Sequence, residues 1–284
     1  MEIIKDPSLL VARRDELKEI SPNLGFIPTM GALHAGHISL VRQARQENGI
    51  CVVSIFVNPT QFNDPDDFNK YPRYPDKDIE ILREEGVDIV FMPDVVDVYP
   101  TKELYKFDLG GLDEHMEGAF RPGHFDGVAD VVYRLFNMVK PDRAYFGDKD
   151  FQQKKIIERM VEHQKLDIEI FGVPIVRESD GLAMSSRNQR LNNEERKQAT
   201  HIYKMLKQAG EVFDALSPEQ LKSEITRQLN ESELLECEYV EIVHEKDLSI
   251  VTEWNKGAEM RICVAVWAGN VRLIDNIKLR KNKN

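Results

Sequence analysis

Apolar and polar positions fall into blocks along this chain, and the blocks switch between two periods. Leu24 to Pro28 and Cys51 to Val57 are near-continuous apolar runs of strand length, as expected of strands covered on both faces. Between them Ile38, Leu40, Val41 and Ala44 recur at helical spacing, so this stretch predicts a right-handed β-turn-α-β unit. Further strands are predicted over Val87 to Met92, Arg143 to Phe146 and Ile168 to Val173. Helices are predicted over Asp76 to Glu85, closed by Gly86, over Val128 to Val139, and from the Gly147-Asp150 turn to about His163. The first twenty residues predict an amphipathic helix, and residues 94–126 an irregular stretch. Asn58 to Pro75 is polar, Pro-rich and long enough to carry function rather than merely connect. Strands alternating with helices predict a parallel sheet covered on both faces.

The pattern changes near residue 177. Asn193 to Asn230 is mostly helical, broken at Leu216-Ser217-Pro218-Glu219. Cys237 to Val243, Met260 to Trp267 and Val271 to Ile277 then follow as three strand-like runs, with a turn at Ala268-Gly269-Asn270. The expectation is a larger α/β domain over 1–176 and a smaller C-terminal α+β domain over 177–284.

Composition narrows the class. The 284 residues are 42% hydrophobic and 31% charged, which is a globular rather than a disordered balance. A formal net charge of −11 argues against a non-specific nucleic-acid partner but leaves room for an anionic small molecule in a locally basic cleft. Cys51, Cys237 and Cys263 are scattered without C-x-x-C spacing, which suits a reducing cytoplasm. No run approaches the length of a membrane span, and the N-terminus has no apolar signal core.

Chemistry concentrates just after the first strand. Thr29-Met30-Gly31-Ala32 is a small-residue turn, and His34 and His37 bracket Gly36 where the helical pattern begins. A helix N-terminus carries a partial positive charge and unpaired N–H groups, so it suits phosphate. Gly36 allows close approach, and each imidazole, whose neutral form the dipole favours, can still donate a hydrogen bond. A His-x-x-His pair can also bind metal, but no HExxH glutamate or third ligand accompanies this one, and phosphate contact is favoured. Two weaker signals follow. Gly147-Asp148-Lys149-Asp150, with Gln153 one turn on, places a lysine at the C-terminal edge of a parallel sheet. Met184-Ser185-Ser186-Arg187 offers two hydroxyls and a guanidinium to phosphate oxygens. Neither a P-loop nor a G-x-G-x-x-G fingerprint is present.

The combination is far more specific than any part. Pro28-Thr29-Met30-Gly31-Ala32-Leu33-His34-x-Gly-His37 is followed by Phe56-Val57-Asn58-Pro59-x-Gln61-Phe62 and Tyr71-Pro72-Arg73. Arg121-Pro122-Gly123-His124-Phe125, Tyr145-Phe146-Gly147-x-Lys149-Asp150-x-x-Gln153, Asp180 to Asn188 and Arg272-Leu273-Ile274-Asp275-Asn276 complete the set. From about Gly25 to Asn276 the chain closely resembles the bacterial pantoate–β-alanine ligases, members of the HIGH-motif nucleotidyltransferases.

That resemblance implies a Rossmann-like ATP- and pantoate-binding domain and a smaller domain covering the active site. It implies that ATP and (R)-pantoate form pantoyl adenylate, which β-alanine converts to pantothenate with release of AMP. Carried over by position, Met30, Gly31, Ala32, Leu33, His34, Ala35, Gly36 and His37 line ATP, with His37, His34 and Lys149 catalytic. Gly147, Asp148, Lys149, Asp150, Val176, Met184, Ser185, Ser186 and Arg187 complete the ATP site, and Gln61 and Gln153 hold pantoate. Asp148 stands where many relatives carry glutamate, and Asn63-Asp64-Pro65-Asp66 replaces a Gly-Pro-containing loop. Magnesium is implied with ATP, as are a homodimer and a cytoplasmic location, with no nucleic-acid or membrane partner. Two other readings compete: an adenylyltransferase of the same superfamily that stops at AMP transfer, and a non-catalytic ATP-sensing module. The Gln61 and Gln153 pair argues against the first, and intact His34, His37 and Lys149 against the second.

Overall fold

The computed structural model describes residues 1–279 except 22, 63–64, 102 and 256, and it separates into two compact units. The first comprises Met1–Asp148 with Gln152–Pro174, and the second Lys149–Phe151 with Ile175–Asn284.

In the first unit the elements run β1 (Glu2–Ile4), α1 (Pro7–Ile20), β2 (Leu24–Thr29), α2 (Ala35–Glu47), β3 (Ile50–Ile55), α3 (Pro65–Lys70), α4 (Pro75–Glu84) and β4 (Ile89–Phe91). The single-turn helices α5 (Val95–Val98) and α6 (Glu117–Phe120) lead to α7 (His124–Val139), β5 (Arg143–Gly147), α8 (Phe151–His163) and β6 (Glu169–Val173). All six strands pair in parallel, in the order β1-β4-β3-β2-β5-β6. Strict alternation divides their side chains between two cores. Leu24, Phe26, Val52, Ile89, Phe91 and Phe146 face one layer with α7 and α8; Ile27, Cys51, Val53, Val90 and Tyr145 face another with α2 and α4. The predicted stripe on α2 is the buried one: Ile38, Leu40, Val41 and Ala44.

Two expectations need correcting. The N-terminal helix does not take up all of residues 1–20. Glu2–Ile4 instead forms β1 at the sheet edge, paired with Ile89–Phe91, and the helix begins at Pro7 with the Asp6 carboxylate accepting the Ser8 N–H at 2.7 Å. Three residues carry no readable period, so only the partner strand defines them. The irregular stretch also ends sooner than expected: α7 starts at His124, because Gly123 turns the chain at φ +78° and His124 and Phe125 are both buried. The expected departure at Asn63 and Asp64 lies outside the described residues; Pro65 opens α3.

The second unit carries α9 (Asn193–Val212) and α10 (Pro218–Leu229), followed by β7 (Leu235–His244), β8 (Met260–Ala268) and β9 (Val271–Leu279). Both helices are capped from the sequence, Asn192 with Glu195 and Ser217 with Gln220. They cover an antiparallel sheet of order β7-β8-β9, and Ala199, Ile202, Leu206, Leu221 and Ile225 pack onto Val264, Val266 and Leu273. Among the described residues no helix is long and apolar enough to cross a membrane. Cys51 and Cys263 are buried, and burial pushes the Cys51 thiol up to about 12.

Helix α7 lies hard against the turn after β3. A Cβ on Gly127 would stand 2.5 Å from the Thr60 carbonyl oxygen, and the Gly127 carbonyl accepts from Asn58 Nδ2 at 3.1 Å. Gly127→Ala is therefore expected to cost about 1–3 kcal/mol by overpacking, read as a lower urea midpoint with an unchanged slope.

Candidate active site

Strand order reverses between β2 and β5: the chain proceeds outward from β2 through β3 to β4, then returns to β5 and β6 on the other side. Crevices at such reversals, beyond the C-terminal ends of the strands, are where α/β sheets receive ligands. The segments that leave β2 and β3 at that edge carry Met30 to His37 and Gln61, nine of the nineteen residues singled out in the sequence.

The turn after β2 is held by a buried carboxylate. Gly31 and Ala32 both have positive φ, +77° and +50°, and this for alanine is a strained conformation. Asp78, on α4 and 2% exposed, accepts the Ala32 N–H through one oxygen and the Leu33 N–H through the other, both at 2.8 Å. Burial raises the Asp78 pKa, and the two amide bonds pull the other way. The Thr29 hydroxyl donates to the Ser54 carbonyl at 2.7 Å and accepts the Gly31 N–H at 3.2 Å. Thus the Gly31, Ala32 and Leu33 amides are committed to the protein.

The histidines finish this arrangement. His34 is the N-cap of α2; its Nδ1 accepts the Gly36 N–H at 3.1 Å, while His37 Nδ1 accepts the His34 N–H at 3.3 Å. Backbone N–H groups only donate, so both Nδ1 atoms are acceptors and each neutral ring carries its hydrogen on Nε2. The rings lie 4.1 Å apart. The helix start therefore offers imidazole N–H donors in place of the Gly36 amide.

Gln61 sits beside this turn, its Nε2 3.2 Å from Met30 Sδ. Asn58, 1% exposed, orients it. Its Nδ2 donates to Gln61 Oε1 at 3.1 Å, and its Oδ1 accepts from the Tyr99 hydroxyl at 2.7 Å and the Thr60 N–H at 3.2 Å. Burial pushes the Tyr99 hydroxyl up to about 12, keeping it a donor. From α7, His124 Nδ1 meets the Gln61 carbonyl at 2.8 Å and Arg121 Nη1 meets His124 Nε2 at 3.1 Å. A carbonyl can only accept and a guanidinium only donate, which fixes His124 as the neutral Nδ1–H form.

Of the remaining first-unit residues, Gly147 ends β5 and Asp148 pairs with Lys154 at 2.6 Å. Gly172 makes room for that pair, since a Cβ there would collide with Lys154 Nζ. Gln152 is tied down, donating to the Leu112 and His115 carbonyls at 2.8 Å each, whereas the half-buried Gln153 makes no hydrogen bond among the described residues through its side chain.

Lys149, Asp150, Val176 and the 184–187 segment belong to the second unit. Lys149 Nζ lies 3.5 Å from Asp150 Oδ1, with the lysine side chain 19% exposed. Val176 and Met184 flank a short antiparallel bridge between Arg177 and Ala183, the Met184 N–H donating to the Val176 carbonyl at 3.0 Å. Ser185 caps the following turn by accepting the Arg187 N–H at 3.2 Å, and Ser186 is buried. Sequence reading did not single out Asp78, nor did it assign Asn58, Arg121 or His124 a role. Asp78 had a signal: it shares the buried face of α4 with Leu82 four residues on, an acid on an apolar stripe.

Such a doubly wound parallel sheet, with paired imidazoles at the helix start beyond its first inner strand, defines a Rossmann-like α/β protein of the nucleotide-binding type. The family profile described as Pantoate-beta-alanine ligase matches residues 2–278. The chain belongs to that family. Pantothenate synthetase of Porphyromonas gingivalis is 51% identical over 255 residues, covering 90% of this chain and 91% of that protein. The Cytophaga hutchinsonii synthetase is 47% identical over 264 residues, covering 92% and 93%. Among solved structures, pantothenate synthetase from Thermus thermophilus superposes with a TM-score of 0.90 at 41% identity, covering 99% of this chain and all of that one. The pantoate-β-alanine ligase of Francisella tularensis, solved with β,γ ATP and β-alanine, gives 0.83 at 34% identity and 99% coverage of both chains.

Removing the Asp78 carboxylate leaves two buried amides without an acceptor. Asp78→Ala is expected to destabilise the fold by about 2 kcal/mol or more, and Asp78→Asn, which keeps one acceptor, by less. Urea unfolding of the two variants against the wild type reads this order.

Proposed function

We propose that this protein joins (R)-pantoate to β-alanine in a reaction driven by ATP, releasing AMP and pyrophosphate. The observation that carries the reading is the family match over residues 2–278, together with the donor-rich helix start of α2 beside Gln61. The complex of the Francisella tularensis relative supports ATP and β-alanine as ligands here.

In the first step a pantoate carboxylate oxygen attacks the α-phosphorus, and the bond to the bridging oxygen breaks as pyrophosphate leaves. His34 and His37 are assigned to donate through Nε2–H to phosphoryl oxygens, where charge grows in the transition state. Met30 to Ala35 and Gly36 are assigned to line the nucleotide, as are Gly147, Asp148, Asp150, Val176 and Met184 to Arg187. Lys149 adds a positive charge for the phosphates. ATP enters as its magnesium complex.

In the second step the neutral amine of β-alanine attacks the acyl carbon. The bond to AMP breaks, and the amine gives up a proton. Gln61 and Gln153 are assigned to pantoate; both are uncharged, so they grip a hydroxyl and a carboxylate without competing as nucleophiles. The Asn58 contact supports this role for Gln61, because it fixes which end of the amide points at the turn. A homodimer and a cytoplasmic location complete the proposal, the latter supported by cysteines scattered without C-x-x-C spacing.

His37→Ala is expected to lower pantoate-dependent pyrophosphate exchange into ATP by about a hundredfold or more while the circular dichroism spectrum stays unchanged. Near-wild-type exchange would remove His37 from the chemistry. Gln61→Ala is expected to weaken pantoate by about 0.5–1.5 kcal/mol with ATP binding unaltered, measured by calorimetry with each ligand. Equal loss for both ligands would reject a pantoate-specific role. Product analysis tests the reading as a whole: free AMP in equal amount to pantothenate is expected, whereas AMP retained in the product would point to an adenylyltransferase.

A further inference from the structure

The closing motif Arg272-Leu273-Ile274-Asp275-Asn276 has no part in the reaction as derived so far, yet two of its polar residues are almost completely buried. Asp275 is 4% exposed and Asn276 3%, on consecutive positions of β9 and therefore on opposite faces of the sheet. Burying polar side chains is unfavourable unless they are fully engaged, so their partners matter.

Asp275 takes the fork of Arg177 at 2.6 and 2.9 Å, and Arg177 also stacks on Tyr203 of α9, 3.7 Å from its ring centre. That pairing secures the segment that follows Val176. Asn276 makes a different connection. Its Nδ2 donates to the main-chain carbonyl of Lys149 at 2.9 Å, and its Oδ1 accepts from Arg261 Nη1 at 2.5 Å. The carbonyl can only accept and the guanidinium can only donate, so the amide has one permitted orientation. Arg261 is itself fixed, paired with Glu245 at 2.7 Å and lying 4.1 Å above the Phe151 ring. Residues 149–151 accordingly group with the C-terminal strands although in sequence they follow β5 and lead into α8.

We propose that Asn276 is a positioning residue for adenylation: by holding the Lys149 carbonyl it sets where the Lys149 ammonium is delivered. This rests on the assignment of Lys149 to the phosphates. Asn276 touches no reacting atom, and its effect passes through the lysine. It should therefore bear on the pyrophosphate-releasing half-reaction and not on capture of the finished adenylate by the amine.

The test uses the full-length enzyme with Asn276→Asp, Asn276→Ser, Lys149→Ala and the corresponding double variants. Asn276→Asp is nearly isosteric but turns an acceptor toward the Lys149 carbonyl, and Asn276→Ser is too short to span both partners; it serves if the charged variant does not fold. Pantoate-dependent pyrophosphate exchange is expected to fall by about tenfold or more in either Asn276 variant. Capture of pre-formed pantoyl adenylate by β-alanine should stay within about twofold of wild type, and in the Lys149→Ala background the Asn276 change should cost no more than about twofold. Equal losses in both half-reactions, or full losses retained in the Lys149→Ala background, would reduce Asn276 to a structural role and overturn the proposal. So would wild-type exchange in the Asn276 variants while Lys149→Ala is crippled. Wild-type exchange in Lys149→Ala itself would instead overturn the assignment of the lysine, and this inference with it.

Discussion

Parallel pairing of β2 with β3 on one side and with β5 on the other is the constraint from which the first unit follows. A parallel neighbour cannot be reached by a hairpin, so every return passes through a crossover that covers a face of the sheet. Both faces then exclude water, and the strands must be apolar on both sides, as Leu24 to Ile27 and Ile50 to Val53 are. The same rule gathers every loop that leaves a strand's C-terminal end along one edge. The turn from β2 into α2 and the turn after β3 meet there, with Met30 against Gln61.

At that edge the protein places polar groups that have a single hydrogen-bonding sense next to groups that have two. Backbone amides fix the His34 and His37 rings, a carbonyl and a guanidinium fix His124, and the Gly127 carbonyl and Thr60 N–H fix Asn58, which in turn orients Gln61. Each adaptable side chain thereby has one orientation, which is what preorganised charge stabilisation requires. The arrangement has a local cost. Ala32 adopts a left-handed backbone conformation, and the Asp78 carboxylate is held in a site that raises its pKa. The paired amide bonds offset both, so strain and burial sit together at the segment on which the proposed chemistry depends.

The second unit uses the same logic with charge. Arg177 and Asp275 form a two-pronged pair, and burial raises the Asp275 pKa against the pull of that guanidinium. Removing either partner would leave the other buried without compensation, a far larger penalty than the pair's net contribution to stability. Its value lies in direction: a planar fork fixes the segment that follows Val176 in a way that an apolar contact could not.

Much of this was legible in the chain. The β2 and β3 runs, the α2 stripe and the glycine that ends α4 all emerge from local pattern, because strands buried on two faces and helices buried on one impose periods of their own. The order and combination of motifs from Gly25 to Asn276 also carried the resemblance to the family. Other features exist only through contacts far along the chain. Glu2–Ile4 is a strand because β4 offers it an edge, and the strand order is set by which surfaces bury together. Asp78 and Asn276 are ordinary polar residues until folding brings buried amides to the one, at 2.8 Å, and a carbonyl to the other, at 2.9 Å. Periodicity determines which face of an element is apolar. Only the tertiary structure decides which polar group on that face finds a partner, because a hydrogen bond depends on distance and direction that the sequence does not encode locally.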